Sequence, residues 1–132
     1  MSGGIGTWRY MAPEVVRYEQ YTDRVDIFSF ALILWFMSTG HQPFVKQFGA
    51  DAEVVLKEYL KGGEPRPEVA TMRGSQAFKQ LVEDCWSPAP SSRPSAYDCT
   101  QRLAEMCSRE GAGTLGKIND KFSTLFGRQK TA

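Results

Sequence analysis

The chain has few of the histidine and cysteine side chains that bind zinc and little of the positive net charge that binds nucleic acids. Its 132 residues contain one histidine, His41, and three cysteines, Cys85, Cys99 and Cys107, without C-x-x-C spacing. A zinc site is therefore not predicted, and the cysteines are interpreted as reduced thiols of an intracellular protein. The net charge of +1 indicates no basic surface for nucleic acid. We therefore expect neither a bound metal nor a nucleic-acid partner.

Long hydrophobic runs are also missing. The most apolar segment, IFSFALILWFM, covers residues 27–37 and is well short of the ~18–20 residues that a membrane span needs. The first residues, MSGGIGTW, show neither a basic region nor an apolar region of a signal peptide. We expect no transmembrane segment and a cytoplasmic location. The apolar segment begins after Asp26 and is interpreted as a helix that is buried on all sides.

The patterns that are present predict helices and no convincing strand. Pro13 suits the first turn of a short helix to about residue 18, and Thr22 is the expected N-cap of a helix over about 23–39 that ends at Gly40. Residues 51–60 form the next predicted helix, which Gly62 and Gly63 end before an extended loop. The last two predicted helices begin after Ser75 and Ser95. The expected inward positions of the first are Phe78, Leu81, Val82 and Cys85. Those of the second are Cys99, Leu103 and Met106.

The composition changes after the last predicted helix. Residues 111–116, GAGTLG, match G-x-G-x-x-G literally, but a helix precedes them where a nucleotide-binding loop needs a strand. Ile118 also stands where a P-loop needs Ser or Thr, so a flexible linker is the better interpretation. The basic amphipathic piece that follows has three open alternatives: packing on the helices, weak membrane binding, or disorder.

Four short motifs occur in an order that resembles the protein kinase family. Gly6-Thr7 with Met11-Ala12-Pro13-Glu14 is similar to the end of a kinase activation segment. Residues 26–31, DIFSFA, resemble the start of the central helix of the kinase C-terminal lobe, and residues 39–44 resemble the turn after it. Cys85-Trp86 and Arg93-Pro94 resemble the last two helices of that lobe. The pattern is most similar to the tyrosine-kinase-like group of Ser/Thr kinases, including its integrin-linked-kinase-like branch in plants and algae.

The resemblance implies a fold and a division of the chain. The expected fold class is all-α, a partial protein-kinase-like fold that comprises the helical half of the C-terminal lobe. Residues 1–11 would be the end of the activation segment, residues 12–108 the helical unit, and residues 109–132 a flexible basic tail.

The resemblance also implies structural anchors. Glu14 is expected to pair with Arg93 and to hold the activation segment on the lobe, and Trp86 is expected to be a further anchor. Without the motifs, Glu14 would be interpreted as a surface acid at a helix start and Arg93 as a solvated loop residue. Asp26 is expected to accept hydrogen bonds from the backbone of the catalytic loop. Its alternative role is simple complementarity to the helix dipole.

The remaining implied positions concern the substrate. Gly6 and Thr7 correspond to the substrate loop, where this threonine favours Ser/Thr specificity, although an ordinary loop threonine is the alternative. Thr7 and Ser2 are candidate phosphoacceptors. The chain departs from the family pattern at Phe28, Ala31 and Trp8, and the last of these indicates a peptide groove of different shape.

Several parts of phosphoryl-transfer chemistry are not found in these residues. A Gly-rich phosphate loop, a strand lysine, an H-R-D-x-x-x-x-N loop and a D-F-G motif are all missing before the A-P-E motif. We therefore expect no catalytic residue in this chain and no ATP or Mg²⁺ bound by it alone. The complete kinase would use ATP and Mg²⁺, with the remainder of the kinase domain and a protein substrate as partners. The alternative hypothesis is a non-catalytic pseudokinase or a helical protein-interaction module.

Overall fold

A computed structural model describes residues 8–109, and these residues form helices, turns and loops without a strand. The α-helices are α1 (Pro13–Val16), α2 (Arg24–Thr39), α3 (Val45–Phe48), α4 (Ala52–Leu60) and α5 (Gln76–Cys85), followed by α6, which covers residues 96–109. Short 3-10 turns lie at Trp8–Tyr10, Val69–Thr71 and Pro90–Ser92. By backbone contacts the chain divides into two compact units, Met1–Cys99 and Thr100–Ala132. The described part of the second unit is the continuation of α6.

Helix α2 is the centre of the first unit. Its residues Phe28, Ala31 and Leu32 are fully buried, and it packs mainly against α5. The side of α5 that Leu81, Val82 and Cys85 form is buried as well, which confirms the periodicity seen in the sequence. These two apolar faces are buried against each other. The sequence pattern predicts such burial, and the hydrophobic effect makes it the main stabilising contribution.

The prediction that α2 is buried on all sides is wrong. Ile33, Phe36 and Met37 are exposed, with Met37 at 72% of its full accessibility. The physical reason is that one side of α2 has no covering element among residues 8–109. An apolar pattern of 11 residues does not show which other elements pack against the helix, so periodicity alone does not predict this exposed surface.

The predicted helix boundaries agree with the structure in most places. Ser75 caps α5 by accepting from the backbone N–H of Phe78 at 3.2 Å. Ser95 and Asp98 form the expected capping box, in which the Ser95 hydroxyl accepts from the Asp98 N–H at 3.0 Å. Gly40 ends α2 in the left-handed conformation, with φ at 72°, which glycine adopts at little cost.

Three details differ from the prediction. Helix α1 ends at Val16 rather than at about residue 18. Asp23, rather than Thr22, is the N-cap residue of α2, although the Thr22 hydroxyl still accepts from the Arg24 N–H at 3.3 Å. The segment after α2 also contains a helix that the sequence analysis missed, α3 (Val45–Phe48). Its N-cap is Phe44 with φ at 71°, a conformation that is uncommon for an aromatic residue and that no local pattern indicates.

Candidate functional site: the A-P-E junction and its buried anchor

The A-P-E motif lies where the N-terminal loop becomes a helix. Ala12 is extended, and Pro13 and Glu14 are the first two residues of α1. Proline suits this position because the N–H that it lacks has no partner in the first turn. All three side chains are buried, so the junction is packed into the molecule.

The structure brings Glu14 and Arg93 together, although 79 positions separate them in the sequence. The two guanidinium nitrogens of Arg93 donate to the two carboxylate oxygens of Glu14, at 2.5 Å from Nη1 and 3.0 Å from Nη2. The Arg93 side chain is fully buried, and that of Glu14 is 6% exposed. Such a two-bond pairing fixes orientation as well as distance, because the planar guanidinium matches the carboxylate.

Two further N–H donors of Arg93 are also used. Its Nε donates to the carbonyl of Ser87 at 3.0 Å, and Nη1 donates to the carbonyl of Arg24 at 3.0 Å. Arg24 in turn donates from its own side chain to the carbonyl of Arg93 at 3.0 Å. The ion pair therefore connects α1, the start of α2 and the loop after α5, and it has the hydrogen bonds that a buried charge pair needs.

Phe28 packs beneath two guanidinium groups. The carbon at the centre of the Arg93 guanidinium lies 5.1 Å from the centre of the Phe28 ring, and that of Arg66 lies 4.8 Å from it. Both distances are within the range of cation–π attraction. Tyr59 meets the same ring edge to face, with 6.5 Å between ring centres. Phe28 is thus at the centre of the anchor. The family pattern usually has tryptophan or tyrosine at this position.

A second set of charges, which the sequence analysis did not single out, surrounds the first. Arg66 pairs with Glu64 at 2.7 Å, and Glu64 pairs with Arg17 at 3.0 Å. Arg66 also donates to the carbonyl of Trp86 at 2.8 Å, and Arg17 donates to the carbonyl of Tyr59 at 2.6 Å. Glu64 and Arg66 lie in a loop that the sequence indicates only as extended, and Arg17 directly follows α1, so their pairing could not be inferred from spacing.

Arg9 is another buried residue without a sequence signal. It donates to the carbonyls of Pro43 at 2.9 Å and Ala50 at 2.8 Å, and so holds the 3-10 turn before the A-P-E motif on the segment that contains α3. On the other side, the Ser29 hydroxyl of α2 donates to the carbonyl of Tyr10 at 2.7 Å. Residues 8–11 are therefore fixed from two directions.

Two groups at the anchor, Glu14 and Tyr59, have shifted pKa values. Burial raises the pKa of Glu14, but the hydrogen bonds and charge of Arg93 outweigh burial, so the net pKa lies below the ordinary value of 4.5. Burial also raises the pKa of Tyr59, whose hydroxyl has no hydrogen-bond partner among residues 8–109. Glu14 is therefore a carboxylate at neutral pH, and Tyr59 is a neutral phenol.

The other residues singled out in the sequence are placed differently. Trp86 is buried directly after α5, and its carbonyl is the acceptor for Arg66. The Asp26 side chain is exposed, and within residues 8–109 it has no hydrogen bond or ion pair. Ser2, Gly6 and Thr7 lie outside the described residues, as do the GAGTLG segment and the rest of the tail from residue 110. The roles assigned to all of these residues stay predictions.

An apolar groove of about 640 Å³ lies beside the junction. Trp8 and Met11 line it from the N-terminal turn, Val15 and Val16 from α1, and Leu56 and Leu60 from α4. The indole N–H of Trp8 is buried and has no hydrogen-bond partner within the described part of the chain. The groove therefore has mainly apolar walls.

No group of three or more His, Cys, Asp or Glu side chains within residues 8–109 could hold a metal ion. Over the same range, none of the helices has both the length and the hydropathy for crossing a membrane.

Comparison with known proteins gives the class of the molecule. Residues 1–103 match the protein kinase domain family. The chain belongs to this family, and its all-helical fold is the helical part of a kinase C-terminal lobe.

Individual relatives are similar over most of this chain. The serine/threonine-protein kinase VIK of Arabidopsis thaliana is 34% identical over 106 residues, which are 80% of this chain and 23% of VIK. The serine/threonine/tyrosine-protein kinase HT1 of the same plant is 34% identical over 83% of this chain and 27% of its own length. The probable serine/threonine-protein kinase roco7 of Dictyostelium discoideum is 35% identical over 77% of this chain and 4% of its own length. The chain thus spans about a quarter or less of these relatives.

Proposed function

We propose that this chain is the C-lobe segment of an ATP-dependent Ser/Thr protein kinase, which transfers the γ-phosphate of ATP to protein hydroxyls. The observation that carries the proposal is the buried Glu14–Arg93 pair. It joins the A-P-E motif to the R-P motif within a chain that matches the kinase domain family. Its function is to hold the substrate loop in place, since removal of either partner would leave a buried charge without compensation.

The substrate side of the proposal rests on residues near that anchor. Gly6 and Thr7 are the proposed substrate loop, and Thr7 is the proposed determinant of Ser/Thr specificity. Residues 8–11, directly after them, are held by Arg9 and by the Ser29 bond to Tyr10. A fixed loop orients the acceptor hydroxyl, and orientation is a large part of phosphoryl-transfer catalysis. Thr7 and Ser2 are also proposed phosphoacceptors.

We propose that ATP and Mg²⁺ are bound by other parts of the complete kinase and that these 132 residues alone transfer no phosphate. The motifs that hold nucleotide phosphates and magnesium do not occur among them. Incubation of the purified chain with labelled ATP, Mg²⁺ and a general protein substrate tests this directly. We expect no transfer above the protein-free blank, and robust Mg²⁺-dependent turnover would refute it.

The exposed side of α2 supports a partner within the same domain. Ile33, Phe36 and Met37 form an apolar surface, and Asp26, whose side chain has no partner within residues 8–109, lies in the first turn of the same helix. We propose that the remainder of the kinase domain covers this surface and that the backbone of the catalytic loop donates hydrogen bonds to Asp26. An uncovered apolar surface of this kind is typical of an interface.

The finer classification is also a proposal. We assign the parent protein to the tyrosine-kinase-like group, in the integrin-linked-kinase-like branch of plants and algae, and to cytoplasmic signal transduction. The motif GTWRYMAPE over residues 6–14 supports the group. A phylogenetic placement of the complete kinase domain tests the branch.

The second candidate is a non-catalytic pseudokinase or a helical protein-interaction module. The apolar groove beside the junction favours it, because an exposed groove with apolar walls is typical of a site that binds a segment of another protein. The coding sequence around this segment discriminates between the two. Intact H-R-D and D-F-G motifs in one reading frame with it support the kinase. Degraded motifs support a pseudokinase, and a frame without them supports the module.

A further inference from the structure

Two cysteines meet in the interior, away from the A-P-E junction. The sulfur of Cys85, at the end of α5, lies 3.5 Å from the sulfur of Cys99, in the first turns of α6. Both side chains are buried, and both are reduced. At this distance the two sulfurs are already in van der Waals contact. A disulfide needs them at about 2.05 Å, so the remaining approach is about 1.5 Å.

The segment between these cysteines carries the anchor. It contains Ser87 and Arg93, and the Nε of Arg93 donates to the carbonyl of Ser87 at 3.0 Å. Arg93 reaches Glu14 from this loop. The backbone N–H of Cys99 is bonded to the carbonyl of Ser95 at 2.9 Å, so the second sulfur is carried by the helix that the loop leads into. A bond between the sulfurs would close the loop that presents Arg93.

We propose that Cys85 and Cys99 are a site of reversible disulfide formation, with a peroxide as oxidant. One cysteine, as its thiolate, attacks the peroxide oxygen and becomes a sulfenic acid, while hydroxide leaves. The thiol of the second cysteine then attacks that sulfur, the S–O bond breaks, and water leaves as the S–S bond forms. In total, two thiols and one hydrogen peroxide give one disulfide and two waters. The cysteines lose two electrons, and the peroxide gains them.

Burial affects the rate of this reaction more than its outcome. A buried thiol forms a thiolate less readily than an exposed one, so oxidation is slow. The fold nevertheless holds the second sulfur against the first, and this contact gives a high effective concentration for closing the bond. A small oxidant such as hydrogen peroxide suits the site because it needs little space. The proposal does not depend on kinase activity.

The test compares the folded chain with the same chain unfolded in guanidinium chloride. Each is treated with hydrogen peroxide, the remaining thiols are alkylated, and the disulfides are mapped by peptide mass spectrometry. In the folded chain we expect Cys85–Cys99 to exceed any pairing with Cys107 by at least about tenfold, because the sulfurs of Cys85 and Cys99 are already in contact. In the unfolded chain we expect Cys99–Cys107 to dominate, because it closes a shorter loop.

Matched variants separate this bond from other oxidation. Cys107→Ser removes the exposed thiol and should leave the Cys85–Cys99 bond unchanged in the folded chain. Cys85→Ala should abolish the bond. Dithiothreitol should restore both thiols. The proposal is overturned if the two sulfurs stay as thiols, if they proceed to sulfinic acid without a disulfide, or if the folded and unfolded chains give the same pairing pattern.

Discussion

The two sides of helix α2 differ sharply in burial. On one side, Phe28, Ala31 and Leu32 are fully buried, and Phe28 lies beneath the guanidinium groups of Arg66 and Arg93. On the other side, Ile33, Phe36 and Met37 are exposed. The buried side belongs to a packed core, and the two guanidinium groups above Phe28 are both paired with carboxylates. The exposed side has the composition of a core but has no covering element within residues 8–109. The two sides therefore differ in whether a neighbouring element covers them, and both carry large apolar side chains.

Loss of the anchor should have the largest effect. Arg93→Ala leaves Glu14 as a buried carboxylate without a partner, and we expect it to lower the free energy of unfolding by about 3–5 kcal/mol. Urea denaturation followed by circular dichroism measures this loss. If the free energy of unfolding of the wild-type chain is smaller than this loss, we expect the Arg93→Ala variant to be unfolded without urea.

An exposed ion pair provides the control for the anchor. Lys61 and Glu58 lie 3.5 Å apart, with side-chain exposures of 73% and 38%. Lys61→Ala should cost less than about 1 kcal/mol, because solvent screens such pairs. Equal losses for Arg93→Ala and Lys61→Ala would show that the buried pair has no special role.

Truncation of one phenylalanine on each side of α2 tests the comparison itself. Phe28→Ala should lower the free energy of unfolding by about 3–5 kcal/mol, since the ring is fully buried. Phe36→Ala removes a ring that is 40% exposed and should cost about 1 kcal/mol or less. Both are measured by urea denaturation. A larger loss for Phe36→Ala would mean that the assignment of the two sides is reversed.

The exposed side should also control self-association. The double variant Ile33→Ser, Met37→Ser removes apolar surface at positions that are already exposed, so it should change stability little. We expect the wild-type chain to self-associate through this surface and the double variant to associate at least about tenfold more weakly, which corresponds to about 1.4 kcal/mol. Sedimentation velocity over a concentration series measures the association. A wild-type chain that stays monomeric at high concentration would contradict the expectation.

The pH dependence of stability should report the anchor with a smaller effect. The folded-state pKa of Glu14 is below its ordinary value of 4.5, so its contribution is fully present above the unfolded pKa. The contribution is lost as the pH falls through the folded pKa, because the unfolded chain then binds the proton more readily. Between about pH 5 and pH 3, wild-type stability should therefore fall more steeply than that of Glu14→Gln. Parallel slopes in urea titrations would show that Glu14 is not the group responsible.

The sequence predicted the helical fold and most of its ends, because periodicity and capping residues are local signals. Ser75 and Gly40 act at the positions expected of them. The contact between Glu14 and Arg93 was expected only through the family resemblance, since no spacing rule connects residues so far apart in the chain.

Other features had no sequence signal. The charges of Arg17, Glu64 and Arg66 pair through loop geometry. Phe44 adopts a left-handed conformation, with φ at 71°, and its side chain is buried. The exposure of Ile33 and Met37 depends on which neighbours are present, and composition does not encode that information.

The most direct test of the two-sided account compares two methionines in one oxidation experiment. Met37 is 72% exposed on the open side of α2, and Met72 is 4% exposed next to Arg73, whose backbone is bonded to Ser38 of the same helix. Treatment with hydrogen peroxide and peptide mass spectrometry gives the rate of sulfoxide formation at each residue, because oxidation of methionine follows its exposure. The account predicts that Met37 is oxidised first while Met72 stays protected until the chain unfolds. Equal rates at the two residues, or earlier oxidation of Met72, would contradict it.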